Sequence, residues 1–142
     1  MASDSRDTGV TKRSCTKLFR RHGYLVGGAG DSAPLNVLEF VLEWPLKPSV
    51  EAFTRWVYDN HDPAYLDFDQ VELVVCSAKR VWVIEGRQAY DAGPVGAVGS
   101  GAAYARGFLE ARPKDLDGAV AAACKYDPYC AGPIRRLDLD SK

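Results

Sequence analysis

The 142-residue chain is poor in metal-binding and redox residues: it has two histidines, His22 and His61, four cysteines and one methionine. Cys15, Cys76, Cys124 and Cys130 form no Cys-x-x-Cys pair, so the usual ligand spacing of a structural zinc site is missing and no metal is expected. No apolar run approaches the roughly 20 residues of a membrane span, and no charged-then-apolar leader opens the sequence. These absences predict a cytoplasmic protein with no membrane partner, whose reduced thiols pack as small hydrophobes. A charge excess is lacking as well, because 18 Lys and Arg face 19 Asp and Glu, for a net charge of -1. Nucleic acid is therefore not an expected partner, and the pairs Arg20-Arg21 and Arg135-Arg136 read as solvated edges. Internal repeats, low-complexity tracts and linkers are absent. No Gly-Lys-Ser/Thr follows the glycine-rich segments, which removes the phosphate-loop reading and leaves no cofactor to expect.

Hydrophobic residues make up 46% of the chain, which is enough for a core in one domain over residues 1–142. Residues 15–20 and 24–29 read as strands joined by Arg21-His22-Gly23, a hairpin turn in which His22 is a wet turn residue. Asp31-Ser32 offers an N-cap, and Val37, Phe40, Val41 and Trp44 then fall on one face of a helix expected to end near Pro45. Val50, Phe53, Trp56 and Val57 repeat that spacing in a second helix after Pro48, and His61 belongs to its stop signal. Residues 71–76 and 81–84 form a second hairpin whose strands are apolar at consecutive positions, as in strands covered on both faces. Ser100 is placed to cap a helix reaching about Ala111. Asp115 starts another, and residues 134–139 form a last strand.

The order is hairpin, two helices, hairpin, two helices, strand. Strands buried on both faces and interrupted by paired helices predict an α+β fold, a four-layer αββα sandwich of two antiparallel sheets, and not a βαβ fold with singly alternating elements.

Two small-residue segments carry a family resemblance. Tyr24-Leu25-Val26-Gly27-Gly28-Ala29-Gly30-Asp31 closes a strand, and Ala97-Val98-Gly99-Ser100-Gly101-Ala102-Ala103-Tyr104-Ala105 precedes a helix. With Ala2-Ser3-Asp4-Ser5-Arg6 and Thr16-Lys17-Leu18-Phe19-Arg20, the order resembles the proteasome β-subunit and HslV peptidases, Ntn hydrolases, and especially their short phage and prophage members. The resemblance implies the same sandwich, threonine-dependent peptide hydrolysis, and assembly of identical subunits into rings, with a peptide substrate and an ATPase partner. By position in the family motif, Lys17 matches the lysine that tunes the nucleophile and Asp4 the aspartate that holds it. Gly27, with Gly28 beside it, matches the oxyanion and substrate-binding glycine, and Ser100 the serine beside the nucleophile's amine.

The chemistry is coherent, since a desolvated ammonium stabilises a neighbouring deprotonated group and a backbone N–H stabilises a developing oxyanion. Each residue also has an ordinary structural reading: an Asp4–Lys17 ion pair on a sheet, a bend at the glycines, a helix cap at Ser100.

No nucleophile fits the motif. Ala2, exposed by removal of Met1, has no nucleophilic side chain, Ser3 and Ser5 lie on the wrong strand, and Thr8, Thr11 and Thr16 are internal. The strand bearing the family's threonine is thus expected to be missing, through an upstream true start or through loss of the chemistry, and the chain as it stands is expected to be inactive. The alternative from another class is a structural or assembly protein, of a phage or prophage, using the same fold as an interaction surface. A small-ligand-binding domain built on the glycine-lined groove is a third. The aromatic residues around Trp44 and Trp56 are expected to serve the core ahead of subunit contacts.

Overall fold

The computed structural model describes residues 1–3, 17–130 and 135–136. Five strands, β2 (Leu18–Arg21), β3 (Tyr24–Gly30), β4 (Val71–Cys76), β5 (Val81–Glu85) and β6 (Gln88–Gly93), form one antiparallel sheet in the order β2-β3-β4-β5-β6. Two short strands, β1 (Ala2–Ser3) and β7 (Arg135–Arg136), pair with each other through Ala2–Arg136 and Ser3–Arg135. Helices α1 (Ser32–Phe40) and α2 (Val50–Asn60) connect β3 to β4, and α3 (Ala102–Ala111) and α4 (Leu116–Tyr126) follow the sheet.

Side-chain alternation along the strands divides the sheet into two apolar faces. Phe19, Tyr24, Val26, Leu73, Val75, Trp82 and Ile84 meet Leu35, Leu38, Phe53, Trp56 and Val57 in the main core. The intervening positions, among them Leu18, Gly27, Val74 and Cys76, face a cleft whose far wall is α3 and α4. This is why β4 and β5 are apolar at consecutive positions. Trp44 and Trp56 are core residues, 4% and 7% exposed, with ring centroids 4.4 Å apart. Their indole N–H groups donate to the carbonyls of Leu38 and Glu43, so burial leaves neither donor unpaired.

The first turn has the anticipated positive-φ glycine, Gly23 at φ 82°, with His22 beside it at φ 49°. Ser49 caps α2 by accepting from the Ala52 N–H, and Asp115 caps α4 by accepting from the Gly118 N–H.

Four local expectations are corrected. Helix α1 ends at Phe40, where the Val41 and Leu42 amides both donate to the Val37 carbonyl, so Trp44 folds back onto the core from the following loop. Its buried stripe is Pro34, Leu35 and Leu38, because Leu35 packs where Gly28 leaves room; Phe40 and Val41 are exposed. Asp31 makes no side-chain cap. The second hairpin is a three-stranded meander, because Gly86 and Arg87, both at positive φ, turn the chain into β6. Of the predicted last strand, Arg135–Arg136 is described and residues 134 and 137–139 lie outside the described residues.

Candidate functional site

The cleft between the sheet and the α3–α4 pair has a volume of about 710 Å³. Lys17, Gly27, Gly28 and Ser100, distant in sequence, all line it. Asp4 lies outside the described residues.

Lys17 is half-buried just before β2, and its carbonyl accepts the Gly28 N–H at 2.8 Å, which sets the register with Leu18 opposite Gly27. The adjacent glycines do different things. Gly27 has its Cα toward the cleft: a Cβ there would lie 2.9 Å from the Met1 Sδ and 3.3 Å from Leu18 Cδ2. Gly28 has its Cα toward α1, where a Cβ would collide with the Leu35 side chain, and its amide is already committed to Lys17.

Ser100 sits in a loop fastened to the sheet. The Gly99 N–H donates to a Glu72 carboxylate oxygen at 2.6 Å, a short charge-assisted bond. Gly99 has φ 95°, and a Cβ on it would meet the Ala29 methyl at 3.2 Å, so the loop lies directly on β3. Ser100 is not the cap of α3: the position is Gly101, with no side-chain bond, which leaves the Ser100 hydroxyl exposed at the cleft.

Two acidic residues, Glu72 in the cleft wall and Asp127 buried behind it, were not singled out from the sequence. Glu72 is the one charged residue in the apolar run 71–76, and that isolation was its signal. Asp127, at the C-cap of α4, is 5% exposed; its Oδ1 accepts from the Tyr129 N–H, and its Oδ2 is buried without a hydrogen-bond partner. A Cβ on Gly101 would lie 3.4 Å from that Oδ2, so the carboxylate looks toward the start of α3 beside Ser100. An acidic residue at a helix C-terminus opposes the helix dipole, and this was the available signal that Asp127 does more than end a helix.

Cys76 faces the same cleft. Burial pushes its thiol up to about 11, against a smaller opposing pull from the N-terminal ammonium of Met1, so it is a neutral thiol at pH 7 and a poor nucleophile. Away from the cleft, the ligand atoms of His61, Asp67 and Asp69 lie within 4.8 Å of one another. Those groups are engaged locally: His61 Nδ1 accepts from the Phe68 N–H, Asp67 from the Asp69 N–H, and Asp69 pairs with Arg87 at 3.0 Å. No helix among the described residues is long and apolar enough to cross a membrane.

An antiparallel sheet packed on one helix pair, with a cleft under a second pair and a glycine-rich strand at its wall, defines an α+β fold of the Ntn-hydrolase kind. More particularly, it is the HslV- and proteasome-like fold. BPH from Thiobacillus denitrificans, solved in complex with epoxomicin, superposes with a TM-score of 0.78 at 18% identity, over 94% of this chain and 88% of that one. HslV from Trypanosoma brucei gives 0.71 at 22% identity, again over 94% and 88%. Anbu, an ancestral beta-subunit from Yersinia bercovieri, gives 0.53 at 15% identity, over 94% of this chain and 73% of that one. No family model matches the sequence, and no curated protein matches it.

Proposed function

We propose that the protein is a subunit of the threonine-peptidase type, built as the four-layer αββα sandwich, and that the 142-residue chain does not itself turn over peptide. The observation that carries this reading is the convergence of Lys17, Gly27 and Ser100 on one cleft of an HslV-like fold. Lys17 is the group that favours a deprotonated nucleophile, Gly27 has no side chain of its own to obstruct an extended peptide, and Ser100 supplies a hydroxyl at the cleft to hold an amine. Asp4 enters as the partner of Lys17 on the sequence resemblance alone. The Met1 thioether sulfur lies against Gly27 in the cleft, on the side an extended peptide would use, which supports the expected lack of turnover. Self-association into a ring of identical subunits belongs to the same reading.

Fluorogenic peptides and epoxomicin, the compound bound by the Thiobacillus denitrificans protein, test it. The 142-residue protein is expected to give no turnover and no adduct by mass spectrometry. A form preceded by a threonine-led strand is expected to gain both, and Lys17→Ala to remove the turnover. Turnover by the 142-residue protein that Lys17→Ala abolishes would overturn the inactivity. Failure of the threonine-led form would overturn the catalytic reading and leave a non-catalytic assembly subunit.

A further inference from the structure

Cys124, in the last turn of α4, and Cys130, just past its end, have their sulfur atoms 2.7 Å apart, and both side chains are half-buried. The chain between them is folded to bring this about. Asp127 closes the helix by donating its N–H to the Ala123 carbonyl, its side chain accepts the Tyr129 N–H, and its carbonyl accepts the Cys130 N–H at 3.2 Å. The turn therefore points Cys130 back at Cys124. The same segment is site wall: Tyr129 and Cys130 line the cleft, and Gly101 packs on Ala123, one residue before Cys124.

We propose that Cys124 and Cys130 are a reversible dithiol–disulfide pair, a redox modification site that locks the residue 126–130 turn against the cleft when oxidised. The reactant is a small disulfide such as glutathione disulfide. One cysteine sulfur, as thiolate, attacks it, forming a mixed disulfide as the glutathione S–S bond breaks and one glutathione leaves as thiol. The second cysteine sulfur then attacks the protein sulfur of the mixed disulfide and expels the second glutathione. Two electrons pass from the cysteine pair to glutathione disulfide, and the two thiol protons end on two glutathione molecules. In a reducing compartment the pair rests as dithiol, and an oxidising episode converts it. Cys76 is no competitor, because it stands on β4, in the sheet wall of the cleft and apart from α4, with its thiol held protonated.

The sequence makes the test direct. Trypsin cuts after Lys114, Lys125 and Arg135, so Cys124 and Cys130 fall on separate peptides, and a bond between them yields one linked peptide, two hydrogens lighter than the sum of its parts. The full-length protein is equilibrated in glutathione buffers of increasing oxidised fraction, quenched with acid and digested without reductant. The expected result is that the Cys124–Cys130 peptide exceeds every other cysteine pairing by at least about ten-fold and disappears on adding dithiothreitol. Closeness in sequence alone favours pairing in an unfolded chain, so the same titration is run in urea, where the equilibrium constant for the bond should fall by at least about ten-fold. An equal constant in urea, separate glutathione adducts on the two cysteines, or a dominant pairing with Cys15 or Cys76 would each overturn the proposal. Cys130→Ser should leave Cys124 as a glutathione adduct or a thiol; a new protein disulfide at Cys124 would count against the pairing.

Discussion

Three glycines of β3, Gly27, Gly28 and Gly30, lie within three residues of one another, and alanine at each should have a different consequence. At Gly30, φ is 104°, and an added Cβ would collide with the backbone carbonyl of Gln70, whose oxygen also accepts the Asp31 N–H at 3.1 Å. Backbone strain at positive φ costs about 1–3 kcal/mol. The collision cannot be relieved by a rotamer and must part β3 from β4 where Gly30 faces Val71, so about 4 kcal/mol in all is expected. At Gly28 the obstacle is the Leu35 side chain, 3% exposed in the main core. Overpacking there costs about 1–3 kcal/mol, offset by up to about 1 kcal/mol from replacing glycine in a strand, for a net of about 1–2 kcal/mol. At Gly27 the neighbours are the flexible ends of Met1 and Leu18, so the same substitution should be near neutral. Gly23→Ala is the control for backbone strain alone, since φ is 82° and nothing lies within 4 Å; it should cost about 1 kcal/mol.

Urea unfolding followed by tryptophan fluorescence, with the slope m checked for constancy, ranks the four variants, and Gly30→Ala should also lower Tm by roughly 10 °C. The reasoning fails if Gly30→Ala is no worse than Gly23→Ala, or if Gly27→Ala is as damaging as Gly28→Ala. A stable Gly27→Ala protein would also let the glycine's part in the cleft be examined apart from folding.

Two further outcomes are expected. Cys76 should resist iodoacetamide at pH 8 about 100-fold more than a thiol at the ordinary value of 9.0, with the rate climbing as pH approaches about 11; a fast Cys76 in the folded protein would contradict its placement. Tyr24→Phe removes an O–H donated to the Pro45 carbonyl at 2.5 Å and should cost about 1–2 kcal/mol in urea. Burial raises the Tyr24 hydroxyl above its ordinary 10.0, so its contribution is present below pH 10 and is lost as pH rises from there through the folded value. A Tyr24→Phe deficit that stayed constant through strong alkali in the folded range would contradict this.

Turns and helix ends set by neighbouring residues were legible: the positive-φ glycine of the first hairpin, the 3.6-residue spacing of Phe53, Trp56 and Val57 in α2, and the Asp115 cap of α4. So were the doubly apolar strands, because their composition records burial on both faces. Strand β6 was not legible, since Gln88–Gly93 offers little apolar alternation and is held by pairing with β5 and by the Arg80–Asp91 ion pair. The inward face of α1 was misassigned because two apolar stripes compete along it, and the choice falls to Leu35 fitting over Gly28, a contact made only when the helix docks.

Apart from β6 and the inward face of α1, the local elements, the two-faced strands and the small-residue segments that permit close backbone approach were set within the sequence, since each depends on residues within a turn or two of one another. Tertiary structure alone decided that Lys17, Gly27 and Ser100 line one cleft, that Glu72 reaches across to Gly99, that Asp127 is buried beside Gly101, and that Cys124 meets Cys130. Those relations rest on strand register and helix docking, where the stabilising contacts join residues far apart in the chain, and no local propensity carries that information.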